Sequence, residues 1–250
     1  MAKLTKPAAS TSDRTPPNGP SLMQNHLIVS CAFGTHIGSV YPAVPGRRNA
    51  FFSNNPAMEK TVREKGWNYI KVTDFPLSND ILISSLQSKW VKFLQFLPDI
   101  PLFDDVEKIT YHDHKFCVEA AHLDWILANN LDQHDMLIRE TPRLKETISD
   151  EVEAAVAQER YLRNMPQTLD FIRNLVDAGK ISERIRILNT GLMHFNNLPA
   201  CRPFTDAVYE TCSRLQQPEC QIVFAALLQM SSVRIKRVPW SQLEPLWKAP

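Results

Sequence analysis

Within residues 106–116, an imidazole, a carboxylate, a second imidazole and an ammonium follow one another at His112, Asp113, His114 and Lys115. So many ionisable groups in succession must be satisfied by water, by one another or by a ligand. The residues before them, through Tyr111, read as a short strand, which puts the cluster at the strand's carboxyl end. In open α/β sheets ligands sit at such ends, because helices cover both faces and leave only the strand tips accessible. Asp113 is therefore the first candidate. The competing reading is a His-Asp-His surface turn that is hydrogen-bonded locally and does nothing else.

The elements around this tip read as an alternation of strands and helices. Residues 27–33 form an apolar first strand, with Gly34 and Gly38 opening the loop after it. A second strand is expected at 49–53, and a helix from Pro56 to Gly66 with Pro in its first turn and Gly past its end. A strand at 67–73 precedes a helix capped by Ser78, whose apolar face would hold Ile83, Leu86, Trp90, Phe93, Leu94 and Leu97. The strand at 106–112 and a helix at 119–129 continue the pattern. A helical insertion over 149–178, broken at Pro166 and stopped at Gly179, follows. A strand at 184–195 carries Gly191 in its middle, where glycine permits a bulge or a close ligand approach. Helices at 203–215 and 218–230 and a last strand at 233–238 complete the chain. The alternation predicts an α/β fold: a mixed, mainly parallel sheet flanked by helices on both faces.

Composition sets outer limits. The chain has 250 residues, 44% of them hydrophobic and 22% charged, which suits one domain over residues 25–250. Its formal net charge of +1 offers no basic excess for nucleic acid. Residues 1–24, with Pro16, Pro17 and Pro20, read as a disordered arm without the apolar stretch of a signal peptide or anchor. No run approaches the ~18 to 20 apolar residues of a membrane span, so membrane insertion is not expected. Five cysteines without a CxxC spacing point to reduced thiols and a cytoplasmic location.

Several short motifs occur in a telling order: Ile-Val-Ser-Cys-Ala-Phe-Gly-Thr at 28–35, Phe-Phe-Ser-Asn-Asn-Pro at 51–56, Gly66-Trp67, Ser-Leu-Gln-Ser-Lys at 85–89, and the strand ending in Asp113. The second half adds Arg-Glu-Thr-Pro-Arg at 139–143, Asp150-Glu151, residues 158–161, Asn-Thr-Gly-Leu-Met at 189–193 and Pro-Glu-Cys-Gln at 218–221. In order and spacing, over roughly residues 27–238, the chain resembles a family of glycosyltransferases with the nucleotide-diphospho-sugar transferase fold called GT-A.

The resemblance implies a nucleotide-sugar donor and an acceptor it does not name. Ala32, Phe33 and Gly34 would contact the nucleotide, and Ser53 and Asn54 its base or ribose; a glycine turn and a polar loop are the alternative. Lys89 would face the diphosphate, or be a solvated helix lysine. Gly191 and Gln221 would also lie against the donor. In GT-A enzymes an Asp-x-Asp motif commonly holds a divalent cation, Mn or Mg, on the diphosphate. Here Asp113 matches the first carboxylate, but Lys115 stands at the second and cannot ligate a metal while protonated. Either His114 or His112 supplies a ligand, or Lys115 neutralises the leaving group and no metal is needed. An inverting transferase needs a general base; Glu219, Glu140, Asp150 and Glu151 are the candidates, with Glu219 also readable as a first-turn helix residue. Arg139 and Arg143 would clamp phosphate or form surface ion pairs.

Three classes of function stay open. They are a glycosyltransferase, an inactive nucleotide- or sugar-binding module on the same scaffold, and a metal-dependent hydrolase using His112, Asp113 and His114. The last meets a geometric objection, since successive strand residues point to opposite faces. Cys220 as a nucleophile has no sequence-local partner.

Overall fold

The computed structural model describes residues 25–36, 38–128, 133–141, 147–184, 186–239 and 241. The expected arm at 1–24, with Pro142 and Arg143, lies outside them. The strands are β1 (His26–Cys31), β2 (Asn49–Ser53), β3 (Tyr69–Lys71), β4 (Lys108–His112), β5 (Met136–Glu140), β6 (Leu188–Phe195) and β7 (Ile235–Val238). They form one sheet in the order β3-β2-β1-β4-β6-β5-β7. Every pairing is parallel except those of β6, which runs antiparallel to both β4 and β5. The α/β class and the mainly parallel mixed sheet are as expected.

The helices are α1 (Glu59–Glu64), α2 (Ile81–Lys92), α3 (Ala120–Ala128), α4 (Ile148–Ala155), α5 (Glu159–Leu162), α6 (Met165–Asp177), α7 (Leu198–Leu215) and α8 (Cys220–Leu228). Strand alternation feeds two cores. Leu27, Val29 and Cys31 of β1 join Phe52, Tyr111, Val208 and Val223 on one side, while Ile28 joins Phe51, Val62, Trp67 and Leu123 on the other. Both faces of β1 and β2 are covered, which is why these strands read as continuous runs rather than alternating ones.

Three differences from the sequence expectation matter. Strand β5 was not anticipated, because Arg139 interrupts its apolar run. In the structure Arg139 is fully buried, bonded to Asn189 Oδ1 at 3.0 Å with its guanidinium 5.2 Å from the Phe116 ring centre. Second, the insertion is three helices rather than two, and α4 starts at a capping box in which Thr147 and Asp150 satisfy each other's backbone amides. Third, α2 is capped by Asp80, not Ser78; Ser78 Oγ instead accepts from the Asp80 amide. The helix also ends at Lys92, with Leu94 at φ +62, and Ile83 is exposed while Lys89 and Lys92 are buried.

The chain leaves β1 toward β2 and β3 and returns to pair β4 on β1's other edge. The carboxyl ends of β1 and β4 therefore flank a topological switch point, where such sheets leave a crevice.

Candidate functional site

A cleft of about 540 Å³ opens there. Its floor is the carboxyl ends of β1 (Cys31 to Phe33) and β4 (Tyr111, Asp113 to Phe116) with Asn189 to Gly191 of β6. One wall is α2, through its serines and Lys89 and Lys92; the other is the start of α8 with α4 and α5, through Glu219, Glu151, Arg160 and Tyr161. Helix α5 is tied to α2 by Arg163 to Asp80 at 2.9 Å and by Arg160 Nη1 to Ser85 Oγ at 3.4 Å.

Asp113 sits at the centre. Its amide donates to Gly191 O at 2.9 Å, which anchors the tip of β4 on β6. Its Oδ1 accepts from Tyr111 Oη at 2.6 Å and lies 3.1 Å from Lys92 Nζ. Burial alone would push this carboxyl up; the Lys92 ammonium first, then the Tyr111 hydroxyl, outweigh it and hold the group well below the usual carboxylate range. Lys92 responds in the opposite sense. Burial would lower it, but Asp113 keeps it charged and raises it above an ordinary lysine. Its ammonium also lies 5.2 Å from the Tyr111 ring centre.

Lys89 stands three residues earlier on the same face of α2, only 7% exposed, and lines the cleft with no ion-pair partner among the described residues. Across the cleft Arg160 donates to Gln158 Oε1 and Tyr161 Oη, both at 2.8 Å, while its buried Nε has no partner among the described residues. Glu219 caps α8 through Oε1, which accepts from the Gln221 amide at 3.0 Å; Oε2 has no partner among the described residues. Gln221 Nε2 donates to Glu151 Oε1 at 2.8 Å.

The two histidines beside Asp113 separate. His112 is buried on the far face of the sheet against Trp67, ring centres 5.5 Å apart, and burial lowers its pKa to about 4. It therefore cannot join Asp113 and His114 around one ion, which removes the hydrolase reading. His114 lines the cleft and donates from Nδ1 to Cys31 O at 3.2 Å, and burial lowers its pKa. Lys115 is exposed at the cleft rim near Phe116, whereas the ammonium that meets Asp113 is Lys92.

Other expected residues take structural positions. Ala32 and Phe33 do border the cleft. Gly34 does not; at φ +83, an added Cβ there would come within 2.0 Å of Ser84 Oγ. Asn54 is spent on the same turn, accepting from the Gly34 amide at 2.9 Å and donating to Pro76 O at 2.9 Å. Ser53 is fully buried and accepts from the Asn55 amide, so neither side chain is placed to read a base or ribose. Gly191 lines the cleft, but the space of its missing side chain holds Phe116, 2.2 Å from an added Cβ. Glu140 lies outside the cleft, paired to Arg186 at 3.0 Å. Asp150 serves the α4 cap. Cys220 lines the cleft with its thiol 3.3 Å from Thr190 Oγ1. Lys92 and Arg160 were missed: the lysine pattern Lys89-x-x-Lys92 marks one helix face, but nothing local shows that this face is buried.

The donor set suits a divalent cation poorly. Hard cations of this kind want several oxygen ligands, often carboxylates. Asp113 is the single carboxylate at the strand tip, an ammonium already occupies it, and Lys115 follows where a second carboxylate would stand. Among the described residues no three His, Cys, Asp or Glu side chains are grouped to hold an ion.

No protein-family model matches the chain, and neither does any curated protein sequence. Solved structures do. The chain is similar to mouse xyloside xylosyltransferase 1 in its apo form, at 10% identity over 86% of each chain with a TM-score of 0.48. It is also similar to 4-diphosphocytidyl-2C-methyl-D-erythritol synthase from Anaerococcus prevotii, at 11% identity over 86% of each chain with a TM-score of 0.42. The bifunctional IspDF of Campylobacter jejuni is a third, at 10% identity over 89% of this chain and 52% of that one, with a TM-score of 0.39. No described helix is long and apolar enough to cross a membrane.

Proposed function

We propose that this protein is a glycosyltransferase that binds a nucleotide-diphosphate sugar in the cleft between β1 and β4 and passes the sugar to an acceptor hydroxyl. The observation that carries the reading is Lys89, a nearly buried ammonium lining the cleft with no carboxylate paired to it among the described residues. A charge so enclosed needs an anion, and at a switch point of an α/β sheet a phosphate-bearing ligand meets that need. Arg160 supports it from the opposite wall, and the motif order in the sequence agrees with a GT-A transferase.

The cleft supplies a part for each step. The chain after Cys31 borders the nucleotide's place, and Lys89 faces the diphosphate. Glu219 Oε2 is free to take the acceptor's proton while Oε1 remains fixed by the Gln221 amide. The acceptor oxygen then bonds the anomeric carbon, the bond from that carbon to the β-phosphate oxygen breaks, and its electron pair leaves with the nucleoside diphosphate. Asp113 holds Lys92 in place and keeps it charged.

A second reading, a binding module without turnover, is favoured by the closure of Asp113 on Lys92. Thermal shift against a panel of nucleoside diphosphates and nucleotide sugars tests the shared part, since a ligand at 100 times its dissociation constant stabilises by ~2.7 kcal/mol. Release of the nucleoside diphosphate from a nucleotide-sugar donor, lost in Glu219→Gln, distinguishes the enzyme from the module. A cleft that shifts with no nucleotide in the panel would end both readings.

A further inference from the structure

The mismatch between the expected metal and the side chains present has a consequence for how the leaving group is stabilised. We infer that Lys89 and Lys92 are the cation of this site, so that the nucleoside diphosphate binds, and leaves after transfer, against fixed protein charge rather than a divalent metal. The inference rests on the transferase reading above and concerns the charge that faces the diphosphate.

Three observations carry it. Lys89 and Lys92 lie one turn apart on the same face of α2, both buried and both lining the cleft. They stand in the last turn of a 12-residue helix, where the macrodipole favours positive charge. Lys92 fills the position beside Asp113 that a metal would need, 3.1 Å from Oδ1, and a dication there would meet an ammonium at close range. Lys89 is then left over. Among the described residues no carboxylate pairs with it directly, although its field helps hold Asp113 ionised, and Arg160 adds a guanidinium whose buried Nε has no partner among those residues. Together they offer compact charge to phosphate oxygens from two sides. When the bond from the anomeric carbon to the β-phosphate oxygen breaks, the electron pair left on that oxygen is met by an ammonium already in place, which needs no reorganisation at that moment.

The test is calorimetric titration of the full-length protein with pyrophosphate and with a panel of nucleoside diphosphates, in chelator and again in excess Mn. Mn electron paramagnetic resonance on the protein alone supplies a readout independent of turnover. The expected result is a diphosphate bound with the same Kd in both media to within about a factor of two, and a Mn spectrum unaltered by protein. Lys89→Met should weaken binding at least about ten-fold in both media, and Lys89→Arg should retain it. Binding that appears only with Mn, and that Asp113→Asn abolishes, would overturn the inference and leave the transferase reading standing. Failure of every diphosphate to bind in either medium would sink both.

Discussion

Two carboxylates at the ends of this sheet, Asp135 buried and Asp113 partly so, each meet a cation, and they differ in how completely they are satisfied. Asp135, just before β5, accepts from the Arg234 amide at 2.9 Å, from Arg234 Nε at 3.0 Å and Nη2 at 2.7 Å, and from Asn197 Nδ2 at 3.2 Å. These bonds, led by those from Arg234, lower its pKa to about 2. Asp113, at the far end of β4, has Tyr111 and one ammonium on the same oxygen, and a second ammonium one turn away pairs directly with no carboxylate among the described residues. The first arrangement closes on itself and pins β5 to β7. The second carries two ammonium groups for one carboxylate, an excess of positive charge that acts on Asp113 through space and is the feature on which the proposed diphosphate site rests.

The comparison can be broken most forcefully at Lys92. Lys92→Met strands Asp113 without its cation, and loss of one partner of a fully buried pair costs about 3–5 kcal/mol; with Asp113 partly open to solvent, chemical denaturation should show a drop toward the lower end of that range, and the double variant Lys92→Met/Asp113→Asn should recover part of it. Next comes the histidine behind the strand tip. His112 has its pKa lowered to about 4, so the unfolded chain takes up the proton first as pH falls. The stability it contributes is intact above the unfolded value near 6.5 and is lost as pH drops toward about 4, worth about 3 kcal/mol at most. His26 and His194, whose pKa values burial also lowers, act in the same direction. His112→Phe should therefore make the profile of melting temperature less steep over that window without flattening it, and an unchanged profile would place the acid sensitivity in those two.

Asp135→Asn tests the closed pair. It keeps the shape and loses the charge, with an expected destabilisation of about 2 kcal/mol and no change in diphosphate affinity. If nucleotide binding falls as well, the two ends of the sheet are not independent. The smallest stability effect belongs to Lys89→Met, which removes a buried charge with no direct ion pair among the described residues and only a minor effect on Asp113. Its unfolding free energy should change by no more than about 0.5 kcal/mol or rise, even as ligand binding weakens. A loss of stability comparable to that of Lys92→Met would show that Lys89 has a structural task.

The sequence by itself determined the alternation of strands and helices, the α/β class, and the position of Asp113 at a strand tip, because these depend on local periodicity and on residues such as Gly66 and Pro56 that act where they stand. It also isolated Ala32, Phe33, Lys89, Glu219 and Gln221, all of which the fold brings to one cleft or its edge. What it could not carry is the direction of a side chain relative to distant elements. His112 and His114 are two residues apart, yet one packs on Trp67 and the other turns into the cleft, because β4 ends between them. Ser53 and Asn54 read as ligand groups until the loop after β1 folds onto Asn54 and the Asn55 amide and Met58 sulfur take the Ser53 hydroxyl. Arg139 concealed β5, since a guanidinium in a strand looks exposed until an asparagine 50 residues away and an aromatic ring enclose it. Only tertiary structure decided which cation Asp113 holds, because Lys115 is adjacent in the chain while Lys92 arrives from a helix that must first pack across the sheet.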